Sequence, residues 1–189
     1  MTPTKYAAFP TSADLWQWLA HHHASETELW VQIYKKGSGV TSVNWEDCVI
    51  VALAWGWIDG QRQSLDEVSF VQRLSPRRAK SMWSQKNREH VSRLIDEGRM
   101  QPSGLLHVEA AKSDGRWENA YASASEMVIP DDFLAMLDQD VEAKAFFDTL
   151  NRSNLFTIYH RLHTAKRPDT RAKRMFAILD QLRRREKFQ

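Results

Sequence analysis

Strand-like alternation is confined to the first 74 residues of this chain, and that asymmetry limits the folds open to it. Leu29, Val31 and Ile33 alternate with Trp30, Gln32 and Tyr34, the period-2 pattern of a half-buried strand. Trp57 to Gln61 reads as extended, and so does Ser69 to Leu74, with Leu65 to Glu67 as the turn between them. The rest of the chain carries helical spacing. The expected fold class is α+β: a small antiparallel sheet of about three strands covered by helices, followed by a C-terminal helical domain.

Helix punctuation supports this division. Ser12 is the expected N-cap of a first helix, with Asp14 in its opening turn. Asn44 caps a second helix that runs to about Trp55 and stops at Gly56. Ser84 opens a third, with Val91, Leu94 and Ile95 as its apolar face and Gly98 as its stop. Pro102 opens a fourth. Residues 119–129 are small and irregular and read as a linker. After it, Phe133 and Leu137, then Phe146 and Phe147, then Leu155, Tyr159 and Leu162, then Met175, Leu179 and Leu182 mark four more helices. The expected domains are residues 1–125 (α+β) and 128–189 (helical).

Composition narrows the class further. At 189 residues with 42% hydrophobic and 26% charged side chains, a packed core is expected and disorder is not. No apolar run approaches the roughly 18 residues of a membrane helix. Met1 to Pro10 has no apolar stretch behind a basic start, so no secretory signal is expected, and a cytoplasmic location is the expectation. The single cysteine, Cys48, excludes a disulfide framework.

The net charge of +2 conceals a strong alternation. Residues 101–150 carry three basic and ten acidic side chains; residues 151–189 carry eleven and three. A near-neutral whole argues against nucleic-acid binding driven by global charge. The basic blocks Arg73–Arg88 and Lys166–Lys187 either face an anion or dock onto the acidic stretch.

Within these blocks, several side chains could carry function. Trp57, Asp59 and Gln61 would share one face of a strand and Arg62 the other, so Trp57 and Asp59 either line a pocket or belong to the core. Arg77, Arg78 and Lys80 precede Trp83 and a helix start, a combination suited to an anion stacked on an indole. There is no Gly-rich phosphate loop of the NTPase pattern and no nucleophile elbow. His160 and His163 lie at i, i+3 without an evident third ligand, and neighbouring cations repel a metal; no metal and no cofactor are expected. His163, Lys166 and Arg167 complete the candidate ligand-binding set of Trp57, Asp59, Arg62, Arg77, Arg78 and Trp83.

Several stretches occur together in order: Trp55–Arg62, Gln72–Arg78, Trp83-Ser84, Glu97–Pro102, Asp114–Trp117 and Thr164–Arg171 with Arg174. This set resembles the YdeI/OmpD-associated family, whose members are called bacteriocin-protection proteins. The resemblance spans roughly residues 26 to 187, and the part from about Val128 resembles its OmdA-type C-terminal domain. One departure is Arg183 to Lys187, where a glycine would be expected to close the last helix. The resemblance implies a role in stress protection and supplies no catalytic residues. The favoured reading is a non-catalytic binding protein for an anionic small molecule. The alternatives are an enzyme on a small anionic metabolite, with Asp59 or His163 as acid or base, and an interaction module for nucleic acid or protein built on the basic C-terminal helix.

Overall fold

The computed structural model describes residues 5–188. The chain divides into two compact units, residues 1–120 and 121–189.

The first unit is built around a four-stranded sheet in the order β1-β2-β4-β3. Strand β2 (Leu29–Tyr34) pairs antiparallel with β4 (Ser69–Pro76), and β4 with β3 (Trp57–Ser64). The sheet has one strand more than the sequence suggested. Strand β1 (Ala7–Ala8) runs parallel to β2, and two residues are too few to show any period. Strand β2 is also more buried than its alternation implies, because Trp30 is only 9% exposed.

The hairpin contains a bulge that the sequence does not reveal. Asp59 faces Leu74 while Arg62 faces Gln72, so three steps on β3 match two on β4. The face expected to hold Trp57, Asp59 and Gln61 therefore ends at Asp59. The buried amide of Gln72 donates to the carbonyls of Gly60 (2.9 Å) and Gln61 (3.3 Å), which satisfies the backbone that the bulge unpairs.

Helices cover the sheet. Helix α1 (Ser12–His22) starts one residue earlier than expected: Thr11, not Ser12, is the N-cap. Only Thr11 has Asp14 three positions on, and the two form a reciprocal capping box. Asn44 and Asp47 do the same for α2 (Trp45–Ala54). Ser84 caps α3 (Gln85–Asp96), and Pro102 opens α4 (Pro102–Ser113). Helix α2 joins the two halves of the unit. One core lies between α1, α2 and the sheet, around Leu15, Leu19, Val31, Val51, Trp57 and Leu74. The other joins α2 to α3 and α4 through Val49, Leu53, Trp83, Val91, Leu94 and Val108. Ile95, expected on that inner face, is 40% exposed. Gly56 closes α2 at φ +78°, and a Cβ there would meet the Ser103 carbonyl oxygen at 2.8 Å. Glycine is thus required both by the backbone and by the approach of α4.

The second unit is helical: α5 (Asp131–Leu137), α6 (Val141–Phe147), α7 (Arg152–His163) and α8 (Pro168–Arg183). Its core gathers Phe133, Leu137, Ile158, Leu162, Ile178 and Leu182. Helix α8 ends without glycine, yet it makes the turn that glycine usually makes. Arg185 takes φ +56°, its N–H donates to the Leu182 carbonyl (2.9 Å), and the Glu186 N–H donates to the Gln181 carbonyl (3.1 Å). These are the two bonds of a Schellman close, with arginine in the left-handed position. Among the described residues no helix is long and apolar enough to cross a membrane.

Candidate functional site

In the first unit the loop between β4 and α3 carries the densest cluster of candidate residues. Its first turn is tied to α2 by the Arg77 N–H, which donates to the Gly56 carbonyl (2.9 Å). The Arg77 side chain is buried, with its guanidinium 3.6 Å from the centre of the Trp83 ring and donating to the Met82 carbonyl (2.6 Å). Trp83 is 1% exposed and packs edge-on against Trp117 at 5.0 Å. A second buried arginine braces the same loop. Arg116 grips Asp114 with its Nε (2.7 and 2.9 Å) and donates from Nη1 to the Ser81 carbonyl (2.9 Å). Two guanidinium groups, one of them over an indole, thus fix the loop from inside. Their charge also disfavours protonation of nearby His107, whose pKa is lowered first by burial and then by Arg77 and Arg116.

This arrangement separates the candidate residues. Trp57 is also 1% exposed, and its indole N–H donates to the His23 carbonyl (3.1 Å). Neither Trp57 nor Trp83 presents an open face: Trp83 offers no plate for a stacked anion, and of the two readings of Trp57, pocket or core, its burial is that of a core residue. Both rings are drawn in because a large apolar surface gains more from burial than it loses. Arg77 goes in with Trp83. Arg78 and Arg62 stay exposed, Arg62 lying 3.7 Å over the Phe70 ring.

Asp59 lies at the edge of the first core. Its Oδ2 accepts from the Trp45 indole N–H (3.3 Å), and burial raises its pKa despite that bond and the charge of Arg77. Cys48 is nearby and fully buried, and its thiol is pushed up to about 12 by burial and by Asp47 and Asp59. It is held as an inert thiol.

In the second unit the Thr164–Arg174 motif closes the end of a helix. The last turn of α7 closes on loop N–H groups, Thr164 donating to the His160 carbonyl (3.1 Å) and Ala165 to the Leu162 carbonyl (3.1 Å), and the motif adds side-chain donors to it. Arg171 donates from Nη1 to the Leu162 carbonyl (2.9 Å) and clamps Asp132 at 2.6 and 2.7 Å. Arg174 donates to the Arg161 carbonyl (2.5 Å) and to Thr164 Oγ1 (2.9 Å). Arg183 pairs with Asp140 at 2.6 Å. Part of the basic block thus docks onto acidic residues from the 101–150 stretch. His163 stacks on Tyr159 (5.3 Å), whose hydroxyl lies 3.4 Å from its Nδ1. His160 is set among Tyr121 and Phe156, and its pKa is lowered by burial, then by His163 and Arg174. Lys166 and Arg167 remain exposed at the start of α8.

Comparison with known proteins gives each unit its own match. A family described as a domain of unknown function (DUF8412) matches residues 7–107, more than half of the chain. The chain belongs to this family. Residues 126–185 match the OmdA family, described as bacteriocin-protection, YdeI or OmpD-associated. The OmdA segment contains α5 to α8 and the Thr164–Arg174 motif; the DUF8412 segment contains the sheet, both cores' central helix α2 and the braced loop. No curated protein and no solved structure matches the chain.

The first unit also holds a cavity that none of the sequence motifs points to. Tyr6, Trp18, His22 and Trp30 converge with Glu26 and Glu28 on a cavity of about 320 Å³. Only the i, i+4 spacing of Trp18 and His22 on α1 hinted at it.

Proposed function

We propose that the chain is a non-catalytic binding protein of the bacteriocin-protection type, which recognises an anionic ligand through exposed cations. One observation carries this reading: the protein neutralises or buries many of its arginines but leaves four candidate cations unmatched. Arg73, Arg116, Arg171 and Arg183 each hold a carboxylate. Among the described residues, Arg62, Arg78, Lys166 and Arg167 hold none, and all four are exposed. Lys166 and Arg167 gain from their position. Helix α8 has no side-chain cap and begins with proline, so its first N–H groups and positive dipole end add to the two charges. Asp169 in the same turn lowers that potential without cancelling it.

Inward use of Trp57, Trp83 and Arg77 takes three members out of the candidate ligand-binding set and leaves the reading to the exposed cations, while the buried Cys48 thiol, pushed up to about 12, offers no ready nucleophile. The test is a thermal-shift titration with sodium pyrophosphate at low salt. A shift is expected for the wild type, with its largest loss in Lys166→Ala/Arg167→Ala, where the helix start adds to the two charges, and a smaller one in Arg62→Ala/Arg78→Ala. A full shift in both double variants sinks the reading.

A further inference from the structure

We infer that the cavity beside α1 is a binding site for an organic cation, a ligand of opposite charge to the one proposed above and held by different residues. Four of the cavity's lining residues carry rings: Trp18, Trp30, Tyr6 and His22. Leu29 and Ala7 also line it. At about 320 Å³ it lies at the small end of ligand sites and suits a group the size of a trimethylammonium with a short tail.

The walls are held in place before any ligand arrives. Trp18 packs edge-on against the buried Trp57 at 6.1 Å and lies 4.7 Å from His22 on the next turn of α1. Trp30 is fixed in β2, paired with Arg73 of β4, and is 9% exposed. Tyr6 stands beside β1 and is 43% exposed, which leaves an open side. Aromatic rings carry negative electrostatic potential on their faces, so a cluster of aromatic residues around one space is suited to a soft, weakly hydrated cation more than to a neutral group of the same shape.

The rim supplies a counter-charge. Glu28 is engaged by Arg73 at 2.7 Å. Glu26 has no ion pair among the described residues and is exposed. Lys5 also lines the cavity, with a charge opposite to that of Glu26. Discrimination therefore rests on the aromatic lining residues and on Glu26, not on net charge. Affinity should be modest and only weakly dependent on salt, unlike that of the exposed cations for pyrophosphate.

The same ligand chemistry could come from a free small molecule or from a cationic side chain of a peptide. The experiment uses the full chain and follows its indole N–H resonances by NMR. Choline chloride is titrated against its uncharged isostere, 3,3-dimethylbutan-1-ol, and a trimethyl-lysine peptide forms a separate arm. Choline is expected to shift the Trp18 and Trp30 signals and to bind at least about threefold more tightly than the isostere. Glu26→Gln and Tyr6→Ala, both at exposed positions, should each weaken it about threefold without unfolding the protein. Tighter binding by the peptide than by choline identifies a side-chain ligand; the reverse identifies a free cation. Equal binding of choline and isostere overturns the inference, as does choline binding that neither variant weakens. Absence of binding by both choline and the peptide also overturns it.

Discussion

The two units handle the same raw material, arginine and aromatic residues in compact motifs, in opposite ways. In the first unit the motif side chains turn inward. Trp57, Trp83 and Arg77 become core, and Arg116 braces a loop from beneath. In the second unit the motif arginines stay nearer the surface and close the end of a helix, where Arg171 and Arg174 reach the carbonyls of α7. The difference follows from what each unit has to cover. A small sheet needs large apolar groups packed on its faces, and its connecting loop must be held down. A helix end presents carbonyls that can take further donors beyond the N–H groups of its closing turn. A basic motif in a sequence is therefore a statement about charge; whether that charge meets a ligand or a backbone depends on the element beside it.

This contrast can be broken most severely at Trp83. Truncating Trp83→Ala removes a ring that is 1% exposed, together with the platform under Arg77, and should cost about 3–5 kcal/mol in urea unfolding. A cost below about 1 kcal/mol would mean the ring is not core. Next comes Arg171→Ala, which takes a bidentate partner from Asp132 and a donor from α7. A loss of about 1–2 kcal/mol is expected, moderated because Asp132 is half exposed. The hydrogen bonds from Arg171, and its charge, hold the Asp132 pKa below the ordinary carboxylate range. The stability from this pair is thus present above about pH 4 and disappears as pH falls through the lowered value. In Arg171→Ala that acid-side loss should shrink.

A change in the other direction sharpens the comparison. Arg185 occupies a left-handed position that costs an L residue roughly 1 kcal/mol. Arg185→Gly should raise the stability of the second unit by about that amount, read as a higher urea midpoint with unchanged slope. The smallest effect concerns His160. Burial, His163 and Arg174 lower its pKa, so the unfolded chain binds the proton more readily. Its contribution to stability is full above about pH 6.5 and falls as the pH drops below that value. His160→Gln should flatten this part of the pH profile, while His90 and His107, lowered in the same sense, keep theirs in the first unit.

Much of the fold was legible in the sequence, and the reasons are local. Asn44, Ser84 and Pro102 open helices as expected because caps act over three or four residues. The hairpin was readable from two extended stretches on either side of a short turn. Strand β1 was not, since two residues have no period and depend wholly on pairing with β2. The bulge at Gly60 was hidden because it is set by the partner strand and by Gln72, twelve residues away from the carbonyl it satisfies. The shift of the first cap from Ser12 to Thr11 was readable in retrospect, from the spacing to Asp14.

The candidate site was less legible. Sequence spacing identified the basic and aromatic motifs but not the direction of their side chains, which in a loop has no periodicity to follow. Trp83 and Arg78, five residues apart, end on opposite sides of the surface. The ring-walled cavity was missed for a related reason. Tyr6 precedes β1, Trp18 is on α1 and Trp30 on β2; β1 pairing with β2 and the packing of α1 bring them together, and neither is written in local spacing.

The most direct test of this division between structural and ligand-facing cations compares two arginines four residues apart. Arg167→Ala and Arg171→Ala are melted with and without sodium pyrophosphate at low salt. Arg171→Ala should lose stability and keep the pyrophosphate shift; Arg167→Ala should keep its stability and lose much of the shift. The opposite pattern, a destabilised Arg167→Ala with its full shift beside a stable Arg171→Ala without one, would contradict the division.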